Sequence, residues 1–262
     1  MNSTPNEGWI DSHCHLDFDD FEPVQSLMPD LEKAGCKRVL VPAIRADFFQ
    51  RVMNFQQAYP HLVDIAIGLH PYFIKDHRDD DLDTLNKWTS EHENVAIGEI
   101  GLDRLLDSET WEAQQHYFHA QVDIAKQGKR PLIIHSRKAH DQVASILNQK
   151  QFTYGGFIHG FSGSEQQAKR YINLGFKLGL GGALTHERAK AMHRMVKALP
   201  DDGFVLETDS PDMRPSFAME AINTPLNVPK IAEHIAQLRK QDLEYIFQLT
   251  TSNYYSVIPN TR

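Results

Sequence analysis

Eight short apolar runs recur along the chain, each followed by a stretch with helical spacing. That alternation is the sequence signature of strand–helix units laid around a parallel sheet. The runs are Trp9 to Asp11, Arg38 to Ala43, Val63 to Leu69, Val95 to Ile100, Pro131 to His135, Gly156 to His159, Phe176 to Leu180 and Phe204 to Thr208. Among the helices, Glu109 to Lys126 puts Tyr117, Phe118, Val122 and Ala125 on nearby faces, with Gly128 placed as its stop. Eight such units in about 250 residues specify a closed (β/α)8 TIM barrel, an α/β fold. A doubly wound sheet would alternate too, but it needs neither eight strands nor ligand-type residues at so many strand ends.

A Gly or Pro punctuates most joins, and no Ser/Gly-rich linker, charge block or low-complexity tract marks a boundary, so residues 1–262 read as a single domain. No apolar run approaches the ~18 residues that span a bilayer. The start, MNSTPNEGWIDSH, lacks the basic and apolar regions of a secretory leader. A membrane partner and export are therefore disfavoured. Cys14 and Cys36 cannot make a disulfide framework, which fits a reducing compartment and a cytoplasmic address. With 27 basic against 35 acidic residues the net charge is −8, which argues against capture of nucleic acid by bulk positive charge and leaves room for a local basic rim.

Metal-type ligands cluster at the carboxyl ends of the expected strands, where barrel enzymes build their sites. His13 and His15 follow the first, Glu99 lies in the fourth, His135 and His159 end the fifth and sixth, and Asp209 follows the eighth. Two residues apart in an extended segment, His13 and His15 point to the same side and can share one cation. A carboxylate inside the apolar run Val95 to Ile100 needs a partner: either a metal with histidines, or an arginine such as Arg104 or Arg137. Glu207 shares its strand side with Asp209, as a hydrogen-bond acceptor behind the ligands or as half of an ordinary buried pair. His70 ends the third strand, to donate to a substrate phosphate or to pack. Arg104, Arg137 and Lys138 follow strand ends and could ring the mouth with positive charge, or stay solvated. His61, His77, His92, His116, His119, His186, His193 and His234 fall in helices or loops and read as ordinary surface or hydrogen-bonded residues.

In order along nearly the whole chain run Asp11-Ser12-His13-Cys14-His15-Leu16-Asp17, Gly68-Leu69-His70-Pro71, Gly98-Glu99-Ile100-Gly101-Leu102-Asp103, a helix over Gln114 to Gln121, His135-Ser136-Arg137, His159-Gly160-Phe161-Ser162-Gly163 and Glu207-Thr208-Asp209-Ser210-Pro211. This series resembles the TatD DNase family of metal-dependent hydrolases, within the amidohydrolase-like barrels. The resemblance implies two divalent ions (Zn, Mg or Mn), one held by His13, His15 and Asp209, the other by His135 and His159, with Glu99 bridging. It further implies a metal-activated water, Asp209 and Glu99 as catalytic residues, and DNA ends as substrate, cleaved as a 3′–5′ exodeoxyribonuclease does. Gly160 stands where a cysteine is common, and Pro211-Asp212-Met213 replaces a more aromatic or aliphatic continuation.

Mixed imidazole and carboxylate donors suit borderline cations, whereas Mg2+ prefers more oxygen. A second enzyme reading is an amide, ester or lactone hydrolase on the same dinuclear barrel, since fold does not settle substrate. Against its best-known variants, the fourth strand offers Glu99 rather than a lysine that could be carbamylated. A phosphoesterase of the polymerase-and-histidinol-phosphatase type would be expected to end in Asp-x-His, where this chain reads Asp209-Ser210-Pro211. A partner-binding barrel without turnover would have no reason to keep six costly buried polar groups. The chain is expected to be a monomer or a weak oligomer.

Overall fold

The computed structural model describes residues 8–21, 24–219 and 221–258; residues 1–7, read above for a leader, lie outside the described residues. The strands are β1 (Trp9–Asp11), β2 (Cys36–Pro42), β3 (Val63–Ile67), β4 (Ala96–Asp103), β5 (Leu132–Arg137), β6 (Gly156–Ile158), β7 (Phe176–Leu180) and β8 (Phe204–Leu206). They pair in parallel in sequence order. The Ser12 N–H donates to the Leu206 carbonyl at 2.8 Å and closes the ring between β8 and β1. The fold is a (β/α)8 barrel.

The outer helices are α1 (Met28–Lys33), α2 (Phe49–Ala58), α3 (Asp79–Glu91), α4 (Trp111–Gly128), α5 (His140–Gln149), α6 (Glu165–Asn173), α7 (Lys190–Ala198), α8 (Val228–Arg239) and α9 (Leu243–Tyr255). Among the described residues no helix is long and apolar enough to cross a membrane. The ninth helix was not foreseen. It packs on β1 and β8 and carries Tyr254 under the barrel, where the Tyr254 hydroxyl donates to Asp64 Oδ2 at 2.8 Å.

Strand alternation explains the interior. Ile10, Leu40, Ala66, Ala96, Ile133, Phe157 and Val205 form one buried cluster, stopped at the amino-terminal end by Tyr254 and Val257. The outward faces bury a larger cluster against the helices. The lumen is therefore a packed core at one end, and polar side chains can collect only at the other.

Several boundaries differ from expectation. β8 stops at Leu206 rather than Thr208: the Glu207 N–H still donates to the Leu180 carbonyl, but the Thr208 N–H turns to Asp11 Oδ1 and the Asp209 N–H to the His13 carbonyl. α4 runs through Gly128, and the left-handed residue that ends it is Lys129. Gly128 instead makes space, since a Cβ there would lie 2.8 Å from Thr89 Cγ2 on α3. The tightest backbone approach is at Gly101, where φ is +154° and a Cβ would fall 1.8 Å from the His135 carbonyl oxygen. Gly101→Ala should lower unfolding free energy by about 3 kcal/mol, the upper range for overpacking, as measured by urea denaturation.

Candidate functional site

Continuing each inward strand face by two residues delivers part of the mouth directly: Ile133 leads to His135, Phe157 to His159, and Val205 to Glu207. The same layer is glycine where space runs out. A Cβ at Gly179 would stand 1.9 Å from Glu207 Oε2, and one at Gly68 would stand 2.7 Å from the Gly98 backbone. Simple alternation would turn Glu99 outward, because Ala96 and Gly98 occupy the inward positions. The β4–β5 register carries one extra β4 residue between Ile97 and Ile100, and this bulge turns Glu99 into the mouth. Asp209 reaches the same point from a left-handed residue, φ 55°.

The six residues singled out in the sequence as metal-type ligands meet. Glu99 Oε2 lies 3.2 Å from His13 Nε2 and 3.6 Å from His15 Nε2, while Oε1 lies 3.0 Å from His159 Nε2 and 3.3 Å from His135 Nδ1. Asp209 Oδ1 stands 3.5, 3.7 and 3.9 Å from His13, His15 and His159. No arginine pairs with Glu99 among the described residues, so the ion-pair alternative gives way to a ring of imidazoles.

Charge in this ring is tightly shared. Burial would raise the Glu99 pKa, but His70, His159 and His13 around it hold it well below the usual carboxylate range. Burial, with His159 beside it, lowers His13 to about 3, and burial lowers His15 to about 4. Burial would lower His159 too, yet Glu99 and Asp209 outweigh it and raise the imidazole to about 10. Burial raises Asp209 to about 7 and Glu207 to about 8. His13 and His15 are thus neutral, the form in which an imidazole ligates a cation.

The donor set fits divalent metal on its own geometry. Two donors each about 2.1 Å from a shared cation lie roughly 3.0 to 3.4 Å apart, close to the spacings around Glu99. His13 Nε2 is buried without a hydrogen bond, a cost of about 1–3 kcal/mol unless something else engages it. His13 with His15 and Asp209, His13 with Glu99 and His159, and His70 with Glu99 and His135 each bring three donor atoms within 4.8 Å of one another.

Hydrogen bonds sort these histidines. His70 Nδ1 accepts the Tyr72 N–H at 3.1 Å, so a neutral His70 carries its proton on Nε2, 3.1 Å from Glu99 Oε1. It is a donor rather than a ligand. His135 is the reverse: Nε2–H donates to Asp103 Oδ2 at 3.1 Å, leaving the Nδ1 lone pair toward Glu99. Asp103 had no role assigned from sequence, and its only signal there was its place in the Gly98 to Asp103 motif. Asp103→Asn should cost about 10–100-fold in metal affinity, the usual loss for an outer partner, in a competition titration with a chromophoric chelator.

Other supports were equally unassigned. Asp11 accepts from the backbone of His13 and Thr208 and from Thr208 Oγ1, tying β1 to the turn that carries Asp209. Gln121 on α4 bonds both the N–H and the carbonyl of Leu69, and Gln114 accepts from Asp103 N–H. His77, read as ordinary, holds the His70 carbonyl through Nε2 at 2.9 Å. Glu207 Oε1 accepts the Gly160 N–H at 2.5 Å and lies 3.9 Å from His159 Nδ1. A Cβ at Gly160 would lie 3.6 Å from Met213 Sδ, so the two departures from the family pattern are neighbours. Arg104, Arg137 and Lys138 do not touch the ring; they line a cavity of about 640 Å3 beside it.

The chain matches the family model described as TatD related DNase over residues 10–259. It is 37% identical over 255 residues to a protein of Haemophilus influenzae described as an uncharacterized metal-dependent hydrolase, covering 94% of this chain and 97% of that one. The crystal structure of YjjV, a TatD homolog from Escherichia coli K12, superposes with a TM-score of 0.91 at 35% identity, covering 95% and 97% of the two chains. A TatD family hydrolase from Entamoeba histolytica, at 19% identity and TM-score 0.84 over 97% and 99%, shares the fold.

Proposed function

The chain belongs to the TatD-related DNase family and is a metal-dependent hydrolase, and from that premise we propose that it is a phosphodiesterase acting on DNA ends with two divalent ions. The observation that carries this reading is the division of Glu99, whose two oxygens face different sets of histidines. On this reading His13, His15, Asp209 and Glu99 would hold one ion, and Glu99, His135 and His159 would hold the other. Bound there, divalent ions supply Lewis acidity to phosphoryl oxygens and lower the pKa of water.

The chain's own residues do the rest. Asp209, at the open side of the ring, takes a proton from the attacking water. The His70 Nε2–H, 3.1 Å from Glu99 Oε1, holds that carboxylate in place. Asp103 keeps the His135 lone pair aimed inward, and Glu207 holds the backbone after His159. Arg104, Arg137 and Lys138 bind the strand electrostatically. A 3′–5′ direction is the polarity carried with this proposal, as are one domain over 1–262 and a cytoplasmic address, supported by Cys14 and Cys36 being free and buried.

The deciding experiment pairs metal analysis of the purified protein with hydrolysis of single-stranded DNA, RNA, bis-aryl phosphodiesters, and simple esters and lactones. DNA ends should be cleaved, and a chelator should abolish the reaction. Full activity in thoroughly metal-stripped protein would refute the metal mechanism. Efficient lactone or amide hydrolysis with no action on DNA would transfer the same ligands to the second reading.

A further inference from the structure

We propose that the cavity beside the histidine–carboxylate ring is a binding site for a second phosphoryl group of the substrate, one linkage along the strand from the scissile phosphate. The proposal rests on the phosphodiesterase reading and deepens it. Its lining residues adjoin those of the ring along the chain: Arg104 follows Asp103, Arg137 lies two residues past His135, and Ser162 lies three past His159. Two residues of strand put roughly 7 Å between the Cα atoms of His135 and Arg137, a span suited to neighbouring groups of one ligand. At about 640 Å3 the space falls within the range of small-ligand pockets.

Three cations of two adjoining strand ends meet in its wall. Arg45 in the loop after β2, Arg51 on α2 and Arg78 in the loop after β3 are paired with Asp47, Asp19 and Asp80. Among the described residues Arg104, Arg137 and Lys138 have no carboxylate within 4.0 Å, and Arg104 is instead stacked 3.8 Å above the Trp111 ring. The one acid in the wall, Asp141, accepts from Gln167 at 3.3 Å and stands 3.9 Å from Arg170. The ten-residue helix α5 also begins in this wall, and its preceding residue, Ala139, has no side chain to cap the first-turn amides. Three cations and uncapped amides around one concavity, in a chain of net charge −8, point to an anion with several acceptor oxygens. Neutral esters and lactones have nothing to place there.

The test uses the double variant Arg137→Gln with Lys138→Gln, whose side chains are at the surface and whose backbone demands are unchanged. In the metal-loaded enzyme, thymidine dinucleotide is compared with the same dinucleotide carrying a terminal phosphate at one end or the other. A terminal phosphate on one end should lower KM about tenfold in the wild type, and the double variant should lose that preference. In chelator-treated protein, calorimetric titration with inorganic pyrophosphate should show affinity about tenfold weaker in the double variant and unchanged in Lys87→Gln on α3. Equal pyrophosphate binding by all three proteins, or an equal loss in Lys87→Gln, overturns the subsite. So does DNA hydrolysis that ignores the terminal phosphate. If no DNA is cleaved while the variant still loses pyrophosphate, the anion site stands and the phosphodiesterase reading fails.

Discussion

Glu99→Gln is expected to empty both proposed ion positions and abolish turnover. One carboxylate faces His13 and His15 through one oxygen and His135 and His159 through the other, at 3.0 to 3.6 Å. An amide of the same size keeps one oxygen and places an N–H donor against lone pairs on the other side. The bulge that aims the side chain survives, so the change is chemical rather than conformational. The loss should exceed the roughly 10–100-fold typical of an outer partner such as Asp103. Metal stoichiometry by plasma mass spectrometry, beside rate, checks it. A variant that retains full metal content and activity would dismiss Glu99 as the bridge.

Asp209→Asn should cut turnover by roughly two to four orders of magnitude, the range for lost general-base catalysis. The left-handed φ of 55° at this position is one that Asn tolerates as well as Asp, so the turn should hold. Asp209 Oδ1 also stands 3.5 and 3.7 Å from His13 and His15, and part of the fall can come from weakened metal binding. Metal content separates the two: retained metal with lost rate assigns the proton-transfer role, and lost metal assigns a ligand role. Wild-type rate with wild-type metal would remove Asp209 from the mechanism.

Much of this arrangement was legible because a barrel obeys two short rules. Strand alternation and convergence at the carboxyl ends carry His135, His159 and Glu207 from pattern to position with no tertiary information beyond ring closure. Glu99 was recognised by type, a carboxylate that an apolar strand cannot leave alone, although alternation would have faced it outward. Asp103 and Asp11 went unassigned because acids near turns are common, and their importance lies in what they touch. The β8 boundary and the Gly128 stop were misplaced because side-chain and packing contacts, Asp11 with Thr208 and Gly128 with Thr89, overrode local propensity.

The sequence by itself determined the eight-unit barrel, the end at which polar groups collect, and the identity of the six ligand-type residues, since periodicity sets the first two and residue chemistry at the strand ends sets the third. Tertiary structure alone decided which Glu99 oxygen faces which histidine, and which nitrogen of His70 and His135 carries the proton. It also decided that Arg104, Arg137 and Lys138 share one cavity. Those outcomes depend on a one-residue bulge in β4, on single hydrogen bonds from Tyr72 and to Asp103, and on loops that approach only after the ring closes. Such contacts join residues far apart in the chain, and no local pattern encodes them.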